Sequence, residues 1–228
     1  MIKTFGELLP DGVPPRCVLL AVAPPGCGKT TAALQFLKDG YGNGKKAVCI
    51  TTDVAPLDIM AKMDSFGWKA TEAFKGGKLI FVDAYSWRVG VYLHNGVYSV
   101  GNLDDLSDLS IKTSEALAKA GNECAVVFDS ISTLTMHSSP AAVLKFLEVT
   151  FAKFKNAEAS AIAIIEKGVH DEQFTTAVRY IVDGIIEAKL DEDKGDLVRY
   201  LRVFSMKAVR HLTKWARFNI TQNGMVLG

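Results

Sequence analysis

Apolar residues along this chain gather in short unbroken runs, and each run gives way to a glycine-, proline- or charge-rich break. The clearest runs are residues 17–22, 47–52, 79–83, 125–129 and 161–166. Each is short and apolar on both sides of the pleat, which is the pattern of a strand buried on both faces. Stretches with helical spacing lie between them. Residues 30–38 stop at Gly40, and a second stretch carries Pro56 near its first turn and ends before Gly67. Residues 103–120 have Asp104 as their cap and stop at Gly121-Asn122, while residues 139–156 open on a Ser139 cap with Pro140 in the first turn. Apolar strands alternating with helices predict a mainly parallel sheet sandwiched by helices.

The last third changes character. Residues 184–190 and 197–205 flank Asp191-Glu192-Asp193-Lys194-Gly195-Asp196 and read as a hairpin with an acidic tip. Residues 215–220 and 225–227 form a second pair around Gln222-Asn223-Gly224, so the α/β core carries a C-terminal antiparallel extension. Asn95-Gly96, flanked by Tyr and Val, signals a further hairpin within residues 85–100. The aromatic residues there (Trp87, Tyr92, Tyr98) suit a partner or base-stacking surface, or a cover for the sheet edge. No repeat, low-complexity tract or linker interrupts the pattern, which predicts one domain over residues 1–228.

Composition narrows this picture only slightly. With 228 residues and 49% hydrophobic content the chain can bury a full core, and a net charge of +1 gives no overall pull towards nucleic acid or membrane. The first residues do not form a secretory leader and no run is long enough to span a bilayer, so a cytoplasmic protein without a membrane partner is expected. Cys17, Cys27, Cys49 and Cys124 have no C-x-x-C spacing; three lie in or beside strand-like runs and read as small core residues. Cys27 is either a small filler or an oxidation-sensitive thiol at a helix N-terminus.

The chemistry begins between the first strand and the first helix, at Ala23-Pro24-Pro25-Gly26-Cys27-Gly28-Lys29-Thr30-Thr31. This stretch follows G-x-x-x-x-G-K-[ST] in the strand–loop–helix context that gives the motif its meaning. Gly26 and Gly28 let the main-chain N–H groups turn inward on a polyphosphate, and the helix N-terminus adds partial positive charge. Lys29 would reach the β- and γ-phosphates, and the Thr30 hydroxyl would take one Mg²⁺ position. A glycine-rich turn that merely precedes a helix would explain the glycines but not Lys29-Thr30 at the helix mouth. Ala23 stands where the motif has its first glycine, a position that costs an alanine about 1 kcal/mol if the backbone there is left-handed. A nucleoside triphosphate is the expected ligand.

Asp129 ends a buried strand about a hundred residues later; such an Asp can be a helix or turn cap, but at this distance from a phosphate loop in an α/β pattern it reads as a carboxylate that helps to hold Mg²⁺. Asp53 closes the second strand, expected beside the first, and either positions the attacking water or caps the helix near Pro56. Glu166 ends the strand after that of Asp129 and either senses the γ-phosphate or is a solvated strand end. From residue 197 onward Arg199, Arg202, Lys207, Arg210, His211, Lys214 and Arg217 stand without an acidic neighbour beyond the hairpin tip. They suit a neighbouring subunit's phosphates, nucleic acid, or an ordinary solvated face. The four histidines lack zinc spacing, and no G-x-S-x-G elbow is present.

With these residues in view the chain resembles a KaiC-like ATPase of the RecA superfamily, close to the archaeal RadA-paralogue group. The likeness runs through residues 5–14, the phosphate loop, Asp58-Ile59, Ser65-Phe66-Gly67-Trp68, Gly77-Lys78-Leu79, Asp83-Ala84, Asp129-Ser130, Asp183-Gly184 and residues 207–211. The resemblance implies a RecA-type core that forms rings or filaments of identical subunits with ATP, or its product ADP, and Mg²⁺ at the interfaces. It implies in-trans nucleotide contacts from Lys207 and His211, with Arg210 in the same dense segment. The family's two adjacent glutamates for water activation fall on Asp53 and Val54, which implies slow hydrolysis, or a nucleotide-switched scaffold without turnover. A recombination regulator that associates with single-stranded DNA or a protein partner is the other expectation, although Lys167-Gly168-Val169-His170-Asp171-Glu172 matches a DNA-gripping loop poorly.

Overall fold

The computed structural model describes residues 1–93, 96–193 and 195–228. Among the described residues ten strands form one sheet in the order β10-β9-β8-β7-β1-β6-β5-β2-β3-β4. The seven parallel strands are β1 (Cys17–Ala23), β2 (Ala47–Thr51), β3 (Leu79–Asp83), β4 (Val97–Ser99), β5 (Ala125–Asp129), β6 (Ser160–Glu166) and β7 (Gly184–Asp193). The extension is antiparallel: β8 (Asp196–Met206), β9 (Ala216–Thr221) and β10 (Gly224–Leu227). Helices α1 (Lys29–Gly42), α2 (Pro56–Ser65) and α3 (Ala70–Lys75) belong to one core, and α4 (Leu106–Ala120), α5 (Ile131–His137), α6 (Pro140–Asn156) and α7 (Glu172–Ile181) to the other.

The strand period of two divides the sheet between these cores. Cys17, Leu19, Ala21 and Ala23 join the α1 side, while Val18, Leu20 and Val22 join the α6 side. Gly40, on the inner face of α1, brings that helix so close to β5 that an added Cβ would sit 2.6 Å from Ala125 Cβ. The chain moves outward from β1 through α1 and α2–α3 on one face and returns to β5, β6 and β7 through helices on the other. The strand ends at this change of direction hold the ligand in open α/β sheets.

The predicted parallel core with its C-terminal extension is the observed architecture. Ser139 caps α6 by accepting from the Ala142 amide at 3.3 Å with Pro140 at the first position, as its sequence foretold. Both C-terminal hairpins form, and Lys194, within the acidic tip, lies outside the described residues. Four expectations need correction. The first helix does not stop at Gly40 but runs through it to Gly42. The cap of α4 is Asp105, which accepts from the Ser107 amide at 2.8 Å, not Asp104. β2 is not beside β1, because β6 and β5 lie between them. His94 and Asn95 lie outside the described residues, and Val97–Ser99 beyond them pairs parallel with β3. Trp87 and Tyr98 pack against the α6-side core, which is the edge-covering role.

Candidate functional site

The parallel strands deliver their last residues to one edge. Ala23 is level with Glu166, and Thr51 is level with both Asp129 and Asp83. Ala23 is the last residue of β1, in extended backbone, so the left-handed cost does not arise. The chain then turns through Pro24, Pro25, Gly26 (φ 80°), Cys27 and Gly28 (φ 88°) into Lys29, Thr30 and Thr31 at the start of α1. Gly28 is held to glycine by its backbone and sits against β9. Its φ disfavours a side chain, and a Cβ there would lie 2.8 Å from Ile220 Cδ1 of β9.

Lys29 is buried, and its ammonium donates to the Pro24 carbonyl (2.9 Å) and to Glu166 Oε2 (2.8 Å). Thr30 Oγ1 donates to Asp129 Oδ2 at 2.8 Å. Burial pushes the Asp129 carboxyl up to about 6; Asp53 and Glu166 add to the rise, and the Thr30 hydrogen bond and Lys29 oppose it. Cys27 is fully buried with a raised thiol pKa, chiefly from burial, which fits the filler role. A hydroxyl at the start of α1 and a carboxylate at the end of β5, both hard oxygen donors, match what Mg²⁺ takes from protein when phosphates and water complete its shell. Among the described residues no three His, Cys, Asp or Glu side chains group as a metal site of their own.

Asp53 lies two residues beyond β2 and does not cap α2, whose N-cap is Ala55 without a side-chain bond. Its carboxylate accepts from Ser130 Oγ (2.9 Å), Thr52 Oγ1 (3.1 Å) and the Thr133 hydroxyl. Asp53, Arg88, Ser130, Ser132, Thr133 and Glu166 line a second cleft, and Glu166 also borders the phosphate-loop cleft, so the two meet there. Arg88 is fixed in it by donating to the Thr52 carbonyl at 2.8 Å. Ser132 Oγ accepts from the Glu166 amide (2.8 Å) and lies 2.8 Å from His170 Nε2, whose pKa is lowered mainly by burial.

The basic C-terminal stretch does not form one patch. Arg199 donates to the Gly26 carbonyl at 3.4 Å, and Arg202 pairs with Glu187 at 2.6 Å. Lys207, Arg210 and His211 follow the far end of β8, where the Lys207 amide donates to the Asp183 carbonyl at 2.8 Å. That is the sheet edge opposite the chain's own phosphate loop. Asp171 and Glu172 open α7, and Asp171 accepts from the Phe174 amide at 2.6 Å. The pattern of residue types missed Lys62 and Ile220, which border the phosphate-loop cleft, and Arg88 in the second cleft. Each lies in a segment whose local spacing speaks only of helix, strand or turn.

The model of the KaiC ATPase family matches residues 1–228. The chain belongs to the KaiC family of ATPases. A UPF0273 protein of Thermotoga maritima is 30% identical over 99% of this chain and 93% of the relative. One of Aeropyrum pernix is 28% identical over 99% of this chain and 91% of the relative. The crystal structure of a KaiC-like protein of Pyrococcus horikoshii superposes with a TM-score of 0.81, covering 100% of this chain and 96% of that one at 23% identity, a likeness of fold. At a coarse level, then, this KaiC-family chain is a nucleotide-binding ATPase of the RecA superfamily. Among the described residues no helix is long and apolar enough to cross a membrane.

Proposed function

We propose that the chain, as a single RecA-like domain, binds ATP with Mg²⁺, hydrolyses it slowly, and works through nucleotide-dependent assembly or conformation. The observation that carries this reading is the convergence of Thr30 with Asp129 and of Lys29 with Glu166 at adjoining strand ends. Main-chain amides from Gly26 to Thr31 would cradle the phosphates, within a loop running from Ala23 through Pro24, Pro25 and Cys27. Lys29 would exchange Glu166 for β- and γ-oxygens, leaving Glu166 to report the γ-phosphate. Thr30 and Asp129 would hold Mg²⁺, which when bound neutralises charge that develops on the phosphates.

Asp53 is the water-positioning candidate, and its surroundings favour low turnover. Three hydroxyls already occupy its oxygens, and Val54, 38% exposed, brings no second carboxylate. The same observation favours a second reading, a nucleotide-switched scaffold without turnover. Assembly is supported by polarity along β7 and β8. Asp191, Glu192, Asp193 and Asp196 lie at the phosphate-loop edge, and Lys207, Arg210 and His211 lie at the other. A head-to-tail contact between copies would bring the basic turn of one to the nucleotide edge of the next, completing the site in trans.

Calorimetric titration with MgATP tests the core of the reading. Lys29→Ala removes a charge-assisted bond and is expected to weaken ATP by about 10- to 150-fold; unchanged affinity would overturn the assignment. Phosphate release that disappears in Asp53→Asn separates the slow enzyme from the scaffold. Mass measurement with and without MgATP, and turnover with and without single-stranded DNA, decide between assembly and a nucleic-acid role.

A further inference from the structure

Ser65-Phe66-Gly67-Trp68 has no place in the phosphate chemistry, yet Trp68 is buried between α2 and α3. Its indole Nε1 donates to the Asn223 carbonyl at 3.0 Å, in the turn between β9 and β10. Gln35 on α1 reaches the same hairpin: its side-chain oxygen accepts from the Met225 amide (2.7 Å) and its nitrogen donates to the Met225 carbonyl (3.1 Å). A side-chain amide thus acts as the missing ladder partner of edge strand β10. Gly224 (φ 111°) lies so close under Trp68 and Gln35 that a Cβ would collide with both.

These contacts close a loop through the nucleotide site. Met225 is paired with Ile220 on β9, and Ile220 lies against Gly28 of the phosphate loop. Gly28 leads into α1, and α1 carries Gln35 back to Met225. We propose that Gln35 and Trp68 are positioning residues for the nucleotide: by latching the β9–β10 hairpin they press Ile220 onto Gly28 and hold the phosphate loop in its binding form before ligand arrives. A preformed loop lowers the ordering cost of binding, so the benefit goes to any polyphosphate. Coupling is also reciprocal, so a bound polyphosphate tightens the hairpin.

This inference rests on the nucleotide-binding reading. Gln35→Leu removes both bonds to Met225, and Trp68→Phe keeps an aromatic ring but deletes the donor to Asn223. Val143→Ala, a cavity in the opposite core, serves as a control that loses stability without touching the latch. Affinities for MgATP and for magnesium tripolyphosphate are measured by calorimetry, and hydrogen exchange of residues 224–227 is followed with and without MgATP. Gln35→Leu is expected to weaken both ligands alike by about 5- to 30-fold, Trp68→Phe by less, and Val143→Ala not at all. MgATP slows exchange of the hairpin in the parent chain and does so less in Gln35→Leu. Unchanged affinity in Gln35→Leu would overturn the latch, and so would a loss confined to ATP, since the hairpin would then act on the nucleoside and not on the loop. A parent chain that binds neither ligand would remove the nucleotide reading and the latch with it.

Discussion

Replacing Asp129 with Asn should make the ligand-free protein more stable while removing its response to magnesium nucleotide. Burial raises the Asp129 carboxyl from an ordinary 3.8 to about 6, with Asp53 and Glu166 reinforcing the shift. A rise of about 2 pKa units corresponds to about 3 kcal/mol of unfavourable charge above pH 6. Asp129 is not wholly buried, so about half of that is the better expectation. The folded state holds the proton more tightly than the unfolded chain. The stabilising contribution is therefore full below the unfolded pKa and is lost as pH rises through about 6. Asn stays neutral, fits the same space and still offers an oxygen to the Thr30 hydroxyl. In chelator, Asp129→Asn should melt about 3–6 °C above the parent at about pH 7.5, with about half of that gain remaining at about pH 5. MgATP should raise the melting temperature of the parent alone. A variant that melts lower in chelator, or a gain of equal size at both pH values, would refute the reasoning.

Other outcomes follow from individual contacts. Gly28→Ala forces a side chain into a left-handed residue facing Ile220 and should cost about 1–2 kcal/mol in urea unfolding as well as nucleotide affinity. Thr133→Val removes one donor from the Asp53 carboxylate and should raise ATP turnover by about 3- to 10-fold if Asp53 positions the water; a rate at or below the parent's would exclude that role. Ser139→Ala removes the cap of α6 and should lower stability by about 1 kcal/mol, read from the denaturation midpoint, without changing nucleotide affinity.

The strands of the core were legible because β1, β2, β3, β5 and β6 are buried on both faces and so are apolar without interruption. The phosphate loop was legible because its job fixes residue types at fixed spacing. β4, α3 and α5 were not marked: they are short, and tertiary packing decides what so few residues do. α7 was missed although Asp171 caps it and Phe174 and Val178 mark its buried face. Asp53 shows the same limit within the site. Its type suited a base or a cap, and only the fold brings Ser130 and Thr133 across from another segment to occupy it. Lys62 and Ile220 reach the cleft through the placement of α2 and β9, which no local spacing encodes.

Gly40 has a consequence for how this site is held to scale. Where the last turns of α1 meet the start of β5, the Ala125 methyl stands directly against Gly40, so the helix that opens with Thr30 and the strand that ends in Asp129 are pinned together at the end remote from the site. The direction in which α1 leaves that pin helps to set the distance between the two oxygens that would flank a metal ion. Trimming distant apolar side chains leaves the pin in place, whereas one methyl group at position 40 would push α1 away from β5.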